Sequence, residues 1–194
     1  MSKLVILVGP SGVGKGTIES ILFKNKNLKL KLSISATTRA KRPTEQDGIN
    51  YYFLDKQDFE NRIKNDEFLE WNAHFDNYYG TLKSQIKDIQ NQGFLPLLEI
   101  DTNGAIKIIE KFKKEGKEKD LLTIFILPPS LQVLKERIKN RLTETDEEIA
   151  KRLQKAKEEI LQKHFFQYHV VNEDLNSCVA KIEKILLDNR KESK

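Results

Sequence analysis

A glycine-rich segment near the start of the chain has the composition of a phosphate-binding loop. It follows the apolar run Leu4–Val8, precedes residues with helical spacing, and reads Gly9-Pro10-Ser11-Gly12-Val13-Gly14-Lys15-Gly16-Thr17. Glycines let successive backbone N–H groups turn inward around phosphate oxygens, and a following helix N-terminus favours negative charge. Lys15 adds a compact cation for the β and γ phosphates, so the pattern predicts a nucleoside triphosphate site. The alternative is a glycine-rich turn without a ligand.

One position departs from the usual pattern of such loops. Gly16 follows Lys15 where Ser or Thr is expected, which leaves Thr17 as the nearest hydroxyl for a magnesium ion.

A second candidate anion site follows the next strand signal. Residues 35–43 carry two guanidinium groups and several hydroxyls, in the order Ser35-Ala36-Thr37-Thr38-Arg39-Ala40-Lys41-Arg42-Pro43. Arginine suits bidentate contacts to phosphate, and a kinase for small molecules needs such a site for its acceptor. The alternative is a solvated basic loop. We identify no water-orienting residue or switch loop of the kind that a GTPase or motor requires.

Composition limits the classes of protein to which the chain can belong. Of its 194 residues 38% are hydrophobic and 32% charged, which excludes disordered, collagen-like and coiled-coil proteins. Cys178 is the single cysteine, so no internal disulfide can form and a reducing compartment is expected. We find no secretory signal or membrane span and expect a cytoplasmic protein. The net charge of +5 is spread among interleaved acids, without the aromatic platform of an RNA-binding surface.

Apolar runs that alternate with helical periodicity predict the architecture. Strand signals occur near residues 4–8, 30–34, 95–100, 121–127 and 170–171, with helical stripes between most of them. This rhythm predicts an α/β fold with a parallel sheet and helices on both faces. Two polar insertions, at residues 37–80 and 139–148, interrupt the rhythm and predict inserted flaps.

Several motifs occur together in one order, and through them the chain resembles the guanylate kinase family over nearly its whole length. They are GPSGVGKGT, SATTRAKRP, DGINYYF, EFLEW, NYYGT, LLEIDTNGA, PPS and TETDEEIAKRL. The resemblance implies transfer of the γ-phosphoryl group of ATP to GMP or dGMP, with Mg²⁺ as cofactor, in the recycling of purine nucleotides. ATP and GMP are then the partners, with no nucleic acid or membrane, and the oligomeric state is left open.

The resemblance also implies how the chain is divided. A single P-loop NTPase-type domain over residues 1–194 would have its core at about 1–34, 83–128 and 157–194. A GMP-binding subdomain would span about 35–82, and a lid about 129–156.

The acceptor site that the resemblance implies lies mainly in the first insertion. The GMP phosphate would be held by Arg39, Arg42, Tyr51 and Tyr79. Guanine would be read by Ser35, Glu70 and Thr81, with Asp101 close to the acceptor or the metal and Glu99 a less certain neighbour.

Guanine presents two adjacent hydrogen-bond donors, at N1 and N2, and one carboxylate can accept from both. Adenine instead presents an acceptor at N1. This chemistry explains the carboxylate of Glu70, which without the family would be interpreted as a surface acid.

The lid that the resemblance implies contributes cations to the donor side. Arg137, Arg141 and Arg152 would close over ATP, and Asn172 would lie near adenine. Lys15, Arg42, Arg141 and Arg152 would stabilise the transition state, and Mg²⁺ would be held mainly by ATP, with Thr17 and Asp101 acting through water. Leu142 departs from the small residue usual after this arginine.

Two other functions stay open from the sequence. One is another P-loop nucleoside monophosphate kinase, and the other is a non-catalytic guanylate-kinase-like module that binds phosphorylated peptides. The intact Lys15 and lid arginines favour catalysis, because a scaffold does not need them.

Overall fold

The two longest apolar runs form the centre of a parallel sheet. In the computed structural model, which describes residues 3–74, 76–139 and 145–191, β1 (Leu4–Val8) pairs in parallel with β8 (Leu121–Leu127). The sheet continues through β7 (Leu95–Leu98) to β2 (Leu30–Leu32) on one side and to β9 (Tyr168–Val171) on the other. All four pairings are parallel, as the sequence pattern predicts.

Helices cover both faces of this sheet. On one face, α1 (Lys15–Leu22) and α7 (Leu175–Lys191) pack on Val5 and Leu7, with the fully buried Cys178 in the same cluster. On the other face, α3 (Lys83–Asn91) and α4 (Thr102–Lys114) pack on Leu4 and Ile6. Alternate residues of β1 therefore face opposite clusters, which explains its unbroken apolar run. The predicted fold class is confirmed.

The first insertion forms a second, four-stranded sheet in the order β4-β3-β6-β5. Its strands are β3 (Ala36–Thr37), β4 (Tyr52–Phe53), β5 (Phe68–His74) and β6 (Asn77–Leu82), and α2 (Lys56–Lys64) lies between β4 and β5 in the chain. Its own core contains Phe59, Phe68, Ala36 and Leu82. The β5–β6 hairpin has no counterpart among the predicted elements, because most side chains of β5 are only partly buried or exposed and give a weak alternation.

Two further helices, α5 (Leu131–Lys139) and α6 (Asp146–Leu161), pack through Leu134, Ile138, Ile149 and Ala156. A capping box of Thr145 and Glu148 starts α6. Arg141 and Leu142, which the sequence analysis singled out, lie outside the described residues. None of the helices in the described ranges is long and apolar enough to cross a membrane.

Candidate functional site

The candidate site lies along the edge where the parallel strands end. The glycine-rich loop follows β1, the segment from Glu99 to Asp101 follows β7, and Asn172 follows β9. Ligands of open α/β sheets bind at this edge, because the loops there converge from several strands.

Close backbone contacts shape the glycine-rich loop. A Cβ atom on Gly9 would lie 2.5 Å from the backbone oxygen of Ile126, so no other residue fits without a shift of β8. Gly14 has a left-handed φ of 101° where α1 begins, and a Cβ there would lie 2.8 Å from Nδ2 of Asn172. Gly9 and Gly14 are therefore required by packing as well as by turn geometry.

Polar side chains from distant elements hold the same loop. Asn172 donates from Nδ2 to the Val13 carbonyl at 2.8 Å, and Arg137 of α5 donates to the Asn172 carbonyl at 3.0 Å. Lys15 donates from Nζ to the Gly9 carbonyl at 2.6 Å. Asn172 thus supports the shape of the loop.

A second arginine of the predicted lid also reaches the loop. Arg152, on α6, donates from Nη1 to the Ser11 hydroxyl at 3.0 Å. Arg137 and Arg152, 15 positions apart in the sequence, therefore both contact the phosphate loop, Arg137 at the Val13 carbonyl and Arg152 at Ser11.

Glu70 and Thr81 face each other across the β5–β6 hairpin. They are register partners, and the fully buried Thr81 hydroxyl donates to Glu70 Oε1 at 2.8 Å. Burial raises the pKa of Glu70, and the charge of Asp101 raises it further, while the hydrogen bond from Thr81 lowers it. The hairpin thus fixes the orientation of the carboxylate predicted to read guanine.

Asp101 lies beside Glu70 at the start of α4. As N-cap of that helix it accepts a hydrogen bond on Oδ1 from the Gly104 N–H at 2.7 Å. A Cβ atom on Gly104 would lie 3.1 Å from both Asp101 Oδ1 and Glu70 Oε2. Gly104 therefore gives both carboxylates access to a helix N-terminus, where negative charge is favoured.

A cluster of aromatic and charged groups brings together residues that are predicted to hold the GMP phosphate. Arg39 lies over the Tyr51 ring at 5.6 Å, and the rings of Tyr51 and Tyr79 meet edge to face at 6.2 Å. Arg39 also donates from Nη2 to both carboxylate oxygens of Glu45, at 2.7 and 3.0 Å, and the Arg42 backbone N–H donates to Glu45 Oε2 at 2.9 Å. Tyr51 therefore contacts two other residues that are predicted to bind the phosphate.

Two predicted members of the acceptor pocket contribute less defined contacts. The Arg42 side chain is exposed, and Ser35 is tied to the small sheet by its carbonyl, which accepts from the Tyr52 N–H at 2.9 Å. Glu45 was not predicted, although an acid three residues after Arg42 in a basic loop is a signal for an internal ion pair.

Three carboxyl groups that sequence reasoning left without a firm role, Glu19, Glu99 and Glu159, lie within range of charged residues of the candidate site. Glu19 of α1 is 4% exposed, and its Oε1 has no hydrogen-bond partner within the described part of the chain. Burial and the charge of Glu99 raise the pKa of Glu19 to about 8, although Lys15 opposes the shift. Burial also raises the pKa of Glu159, which lies within range of the charges of Lys15 and Asp101. The signal for Glu19 is an acid between Ile18 and Leu22, on the helix face that packs on the sheet.

A phosphate loop that shares one sheet edge with a second pocket of cations and hydroxyls is the arrangement of a P-loop kinase acting on nucleotides.

Similarity to known proteins specifies the family. The sequence model of the guanylate kinase family matches residues 1–189. A guanylate kinase from Mesomycoplasma hyopneumoniae is 64% identical over 186 residues, which are 96% of this chain and 94% of that protein. One from Mycoplasmopsis pulmonis is 54% identical over 95% of this chain and 94% of its own. The crystal structure of guanylate kinase from Anaplasma phagocytophilum matches with a TM-score of 0.72 and 31% identity, over 96% of this chain and 85% of that one. This chain belongs to the guanylate kinase family, as the motifs predict.

Proposed function

We propose that this chain transfers the γ-phosphoryl group of ATP to GMP or dGMP, giving ADP and GDP, in purine nucleotide metabolism in the cytoplasm. The observation that carries the proposal is the oriented carboxylate of Glu70, held by Thr81 on β6. The same strand carries Tyr79, whose ring meets that of Tyr51 beside Arg39. Guanine offers Glu70 two donors, whereas adenine would place a lone pair against it. A mismatch of this kind costs about 1–3 kcal/mol, or roughly 10–100-fold in selectivity.

Catalysis in this proposal needs no general base. The second pKa of a phosphomonoester is ~6, so the GMP phosphate is largely a dianion at neutral pH. The barrier is then the repulsion between two anionic phosphates, which positioning and fixed positive charge reduce. Lys15, Arg42, Arg141 and Arg152 supply that charge. Arg152 is supported by its contact with Ser11, and Arg141, outside the described residues, by its motif alone.

The division of the chain follows from the same proposal. Residues of about 1–34, 83–128 and 157–194 form the core, 35–82 the GMP-binding part and 129–156 the lid, within a single domain. Support comes from the separate sheet and separate hydrophobic cluster of the first insertion, and from the separate cluster of α5 and α6.

Magnesium is the proposed cofactor, held mainly by the phosphates of ATP. The protein atoms near the loop fit this ion, since Thr17, Glu99 and Asp101 offer the hydroxyl and carboxylate oxygens that Mg²⁺ and its waters prefer. Asp101 Oδ1 already accepts from Gly104, so its other oxygen is the one that would act through water, as would Thr17. When bound, the ion supplies positive charge that neutralises the β and γ phosphates.

The proposal is tested by measuring ADP formation from ATP with GMP, dGMP, AMP, CMP, UMP and IMP offered in parallel. We expect GMP and dGMP to be the best acceptors and IMP, which lacks the 2-amino group, to be weaker. Equal or faster turnover with AMP or a pyrimidine nucleotide would assign the chain to another nucleoside monophosphate kinase. ADP formation that no acceptor stimulates would contradict a kinase function altogether.

A further inference from the structure

Gly104 lies at a position of α4 where helix stability does not favour glycine. It is the third residue of the helix, and its φ lies outside the left-handed region that glycine adopts more readily than other residues. Inside a helix glycine is less favourable than every residue except proline, whereas alanine is the most favourable. Local backbone geometry therefore gives no reason for a glycine at this position.

The carboxylate of Glu70 occupies the space beside Gly104. A Cβ atom on Gly104 would lie 3.1 Å from Glu70 Oε2 and 3.5 Å from Glu70 Cδ. The shorter distance is below ordinary van der Waals contact, so a side chain at this position would require the carboxylate or the helix to shift by a few tenths of an ångström. The absence of a side chain is what lets α4 approach Glu70 this closely.

Glu70 has little freedom to shift, because its other oxygen is already held. Oε1 accepts from the fully buried Thr81 hydroxyl at 2.8 Å, across the β5–β6 hairpin. The carboxylate is therefore enclosed between a hydroxyl of the first insertion and a helix of the core. Any movement away from Gly104 would change the length or the angle of the hydrogen bond from Thr81.

A second contact, one turn further along α4, holds β5 at the same distance from the helix. Lys107 lies three residues after Gly104, so the two residues are neighbours on one face of α4. Lys107 donates from Nζ to the carbonyl of Trp71 at 3.3 Å, and Trp71 directly follows Glu70 in β5. The helix thus contacts two consecutive residues of the strand, and the second contact opposes a movement of the whole strand away from α4.

We infer that Gly104 is a positioning residue for the choice of acceptor, because its lack of a side chain lets α4 and Thr81 together hold the Glu70 carboxylate in the orientation that accepts from both guanine donors. The inference rests on the proposed function and adds a residue to it. Gly104 acts through Glu70 and needs no contact of its own with the nucleotide.

Gly104→Ala separates this role from a structural one, because it adds one methyl group against Glu70 and at the same time favours the helix. We expect Tm to stay the same or rise, while kcat/KM for GMP falls roughly tenfold, mainly through KM, since small displacements of a positioning group have effects of that order. The loss for IMP, which lacks the 2-amino group, should be smaller. Equal losses for GMP and IMP, or no loss for either, would overturn the inference.

Asn103→Ala is the matched control. Asn103 is the preceding residue of α4 and is exposed, so its replacement also favours the helix but brings no new atom toward Glu70. The ratio of kcat/KM for GMP to that for IMP should match that of the unchanged chain. The same fall of this ratio in Asn103→Ala and in Gly104→Ala would contradict the assigned role.

A double-mutant cycle tests the route through Glu70. In a Glu70→Ala background the added methyl group has no carboxylate to displace, so Gly104→Ala should not change the remaining ratio for GMP and IMP. The methyl group would also lie 3.1 Å from Asp101 Oδ1. An effect through Asp101 would persist in the Glu70→Ala background, and such additive losses would refute the inference.

A crystal structure of Gly104→Ala without nucleotide gives a readout that does not depend on turnover. We expect the Glu70 carboxylate to have moved and its hydrogen bond from Thr81 to be lengthened or lost. An unmoved carboxylate with that bond intact rules out the inference even if ADP forms with GMP. If the carboxylate has moved but GMP is no acceptor, the proposed function fails and the role in acceptor choice fails with it, while the contact between Gly104 and Glu70 stands.

Discussion

The phosphate loop and the acceptor pocket are built in different ways. The loop is one continuous segment, residues 9–17, whose shape depends on backbone approaches such as that of Gly9 to Ile126 and on carbonyl contacts of Lys15 and Asn172. The acceptor pocket is assembled from side chains in four separate parts of the chain, around residues 35–51, 70, 79–81 and 101.

This difference fits the ligand that is proposed for each region. Backbone N–H groups and one lysine bind phosphate, which every nucleoside triphosphate carries, so a loop of this kind needs little side-chain detail. A base is recognised by the pattern of its donors and acceptors, which requires oriented side chains such as Glu70 with Thr81. We therefore expect damage to the loop to abolish catalysis for all acceptors, and damage to the pocket to change which acceptor is used.

Lys15→Ala should have the largest effect. Removal of the cation from the loop is expected to lower kcat by about 10²–10³-fold or more with every acceptor, since loss of one group that stabilises the transition state has effects of this size. Steady-state kinetics with GMP and IMP measure it, and circular dichroism should show a folded protein. Lys151→Ala, which removes an exposed lysine paired with Glu147 on α6, is the control and should turn over normally. Normal turnover in both variants would refute the role of Lys15.

A pair of glycine substitutions tests whether the loop depends on backbone packing. In Gly9→Ala the new methyl group would lie 2.5 Å from the Ile126 oxygen, so we expect a loss of about 1–3 kcal/mol in the free energy of unfolding. A Cβ on Gly16 of α1 would have no protein atom within 4 Å, so Gly16→Ala should stabilise the protein by about 0.5–1 kcal/mol. Urea unfolding of the two variants gives both values. Equal losses in the free energy of unfolding of both variants would mean that the close approach of Gly9 to β8 does not contribute to stability.

The parts that the sequence predicts best are those built from local patterns. The strands at Leu4–Val8 and Leu121–Leu127 occur at the predicted bounds, because a strand buried on both faces is continuously apolar. The third core strand was expected at 95–100 but ends at Leu98, and Asp101 caps the next helix instead. That early end leaves Glu99 and Asp101 outside the strand, at the edge of the cleft.

The parts that local patterns do not predict depend on pairing between distant segments. Glu70 faces Thr81 only because β5 and β6 form a hairpin, and β5 is too exposed to show a strand pattern. Its role could be predicted only through the resemblance to a family. Neither Glu45 nor Glu19 was predicted, because the position of an acid in a basic loop or on a buried helix face indicates an interaction without identifying the partner.

Glu70→Gln should change the choice of acceptor more than the rate of transfer. An amide can accept from only one of the two guanine donors, so kcat/KM for GMP should fall by roughly 10–100-fold, with a smaller loss for IMP. Because the pKa of Glu70 is raised, kcat/KM for GMP should also decline as the pH falls toward that pKa, while Glu70→Gln lacks this decline. Glu67→Gln, at the residue directly before the same strand, is the control. An equal loss for GMP and IMP would show that Glu70 does not read the 2-amino group.

Glu45→Ala should have the smallest effect and tests whether the pocket is organised before GMP binds. Glu45 fixes Arg39 through Nη2 and also holds the Arg42 backbone, and its hydrogen bond from Arg39 keeps its pKa below the usual range, so it is charged at neutral pH. If the pair preorganises Arg39 for the phosphate, its loss should raise KM for GMP about tenfold or less, with kcat nearly unchanged. Glu115→Ala, which breaks an exposed ion pair with Lys117, should leave KM unchanged. A lower KM in Glu45→Ala would mean instead that Glu45 competes with the phosphate for Arg39, and the acceptor pocket would then resemble a site that its ligand must open.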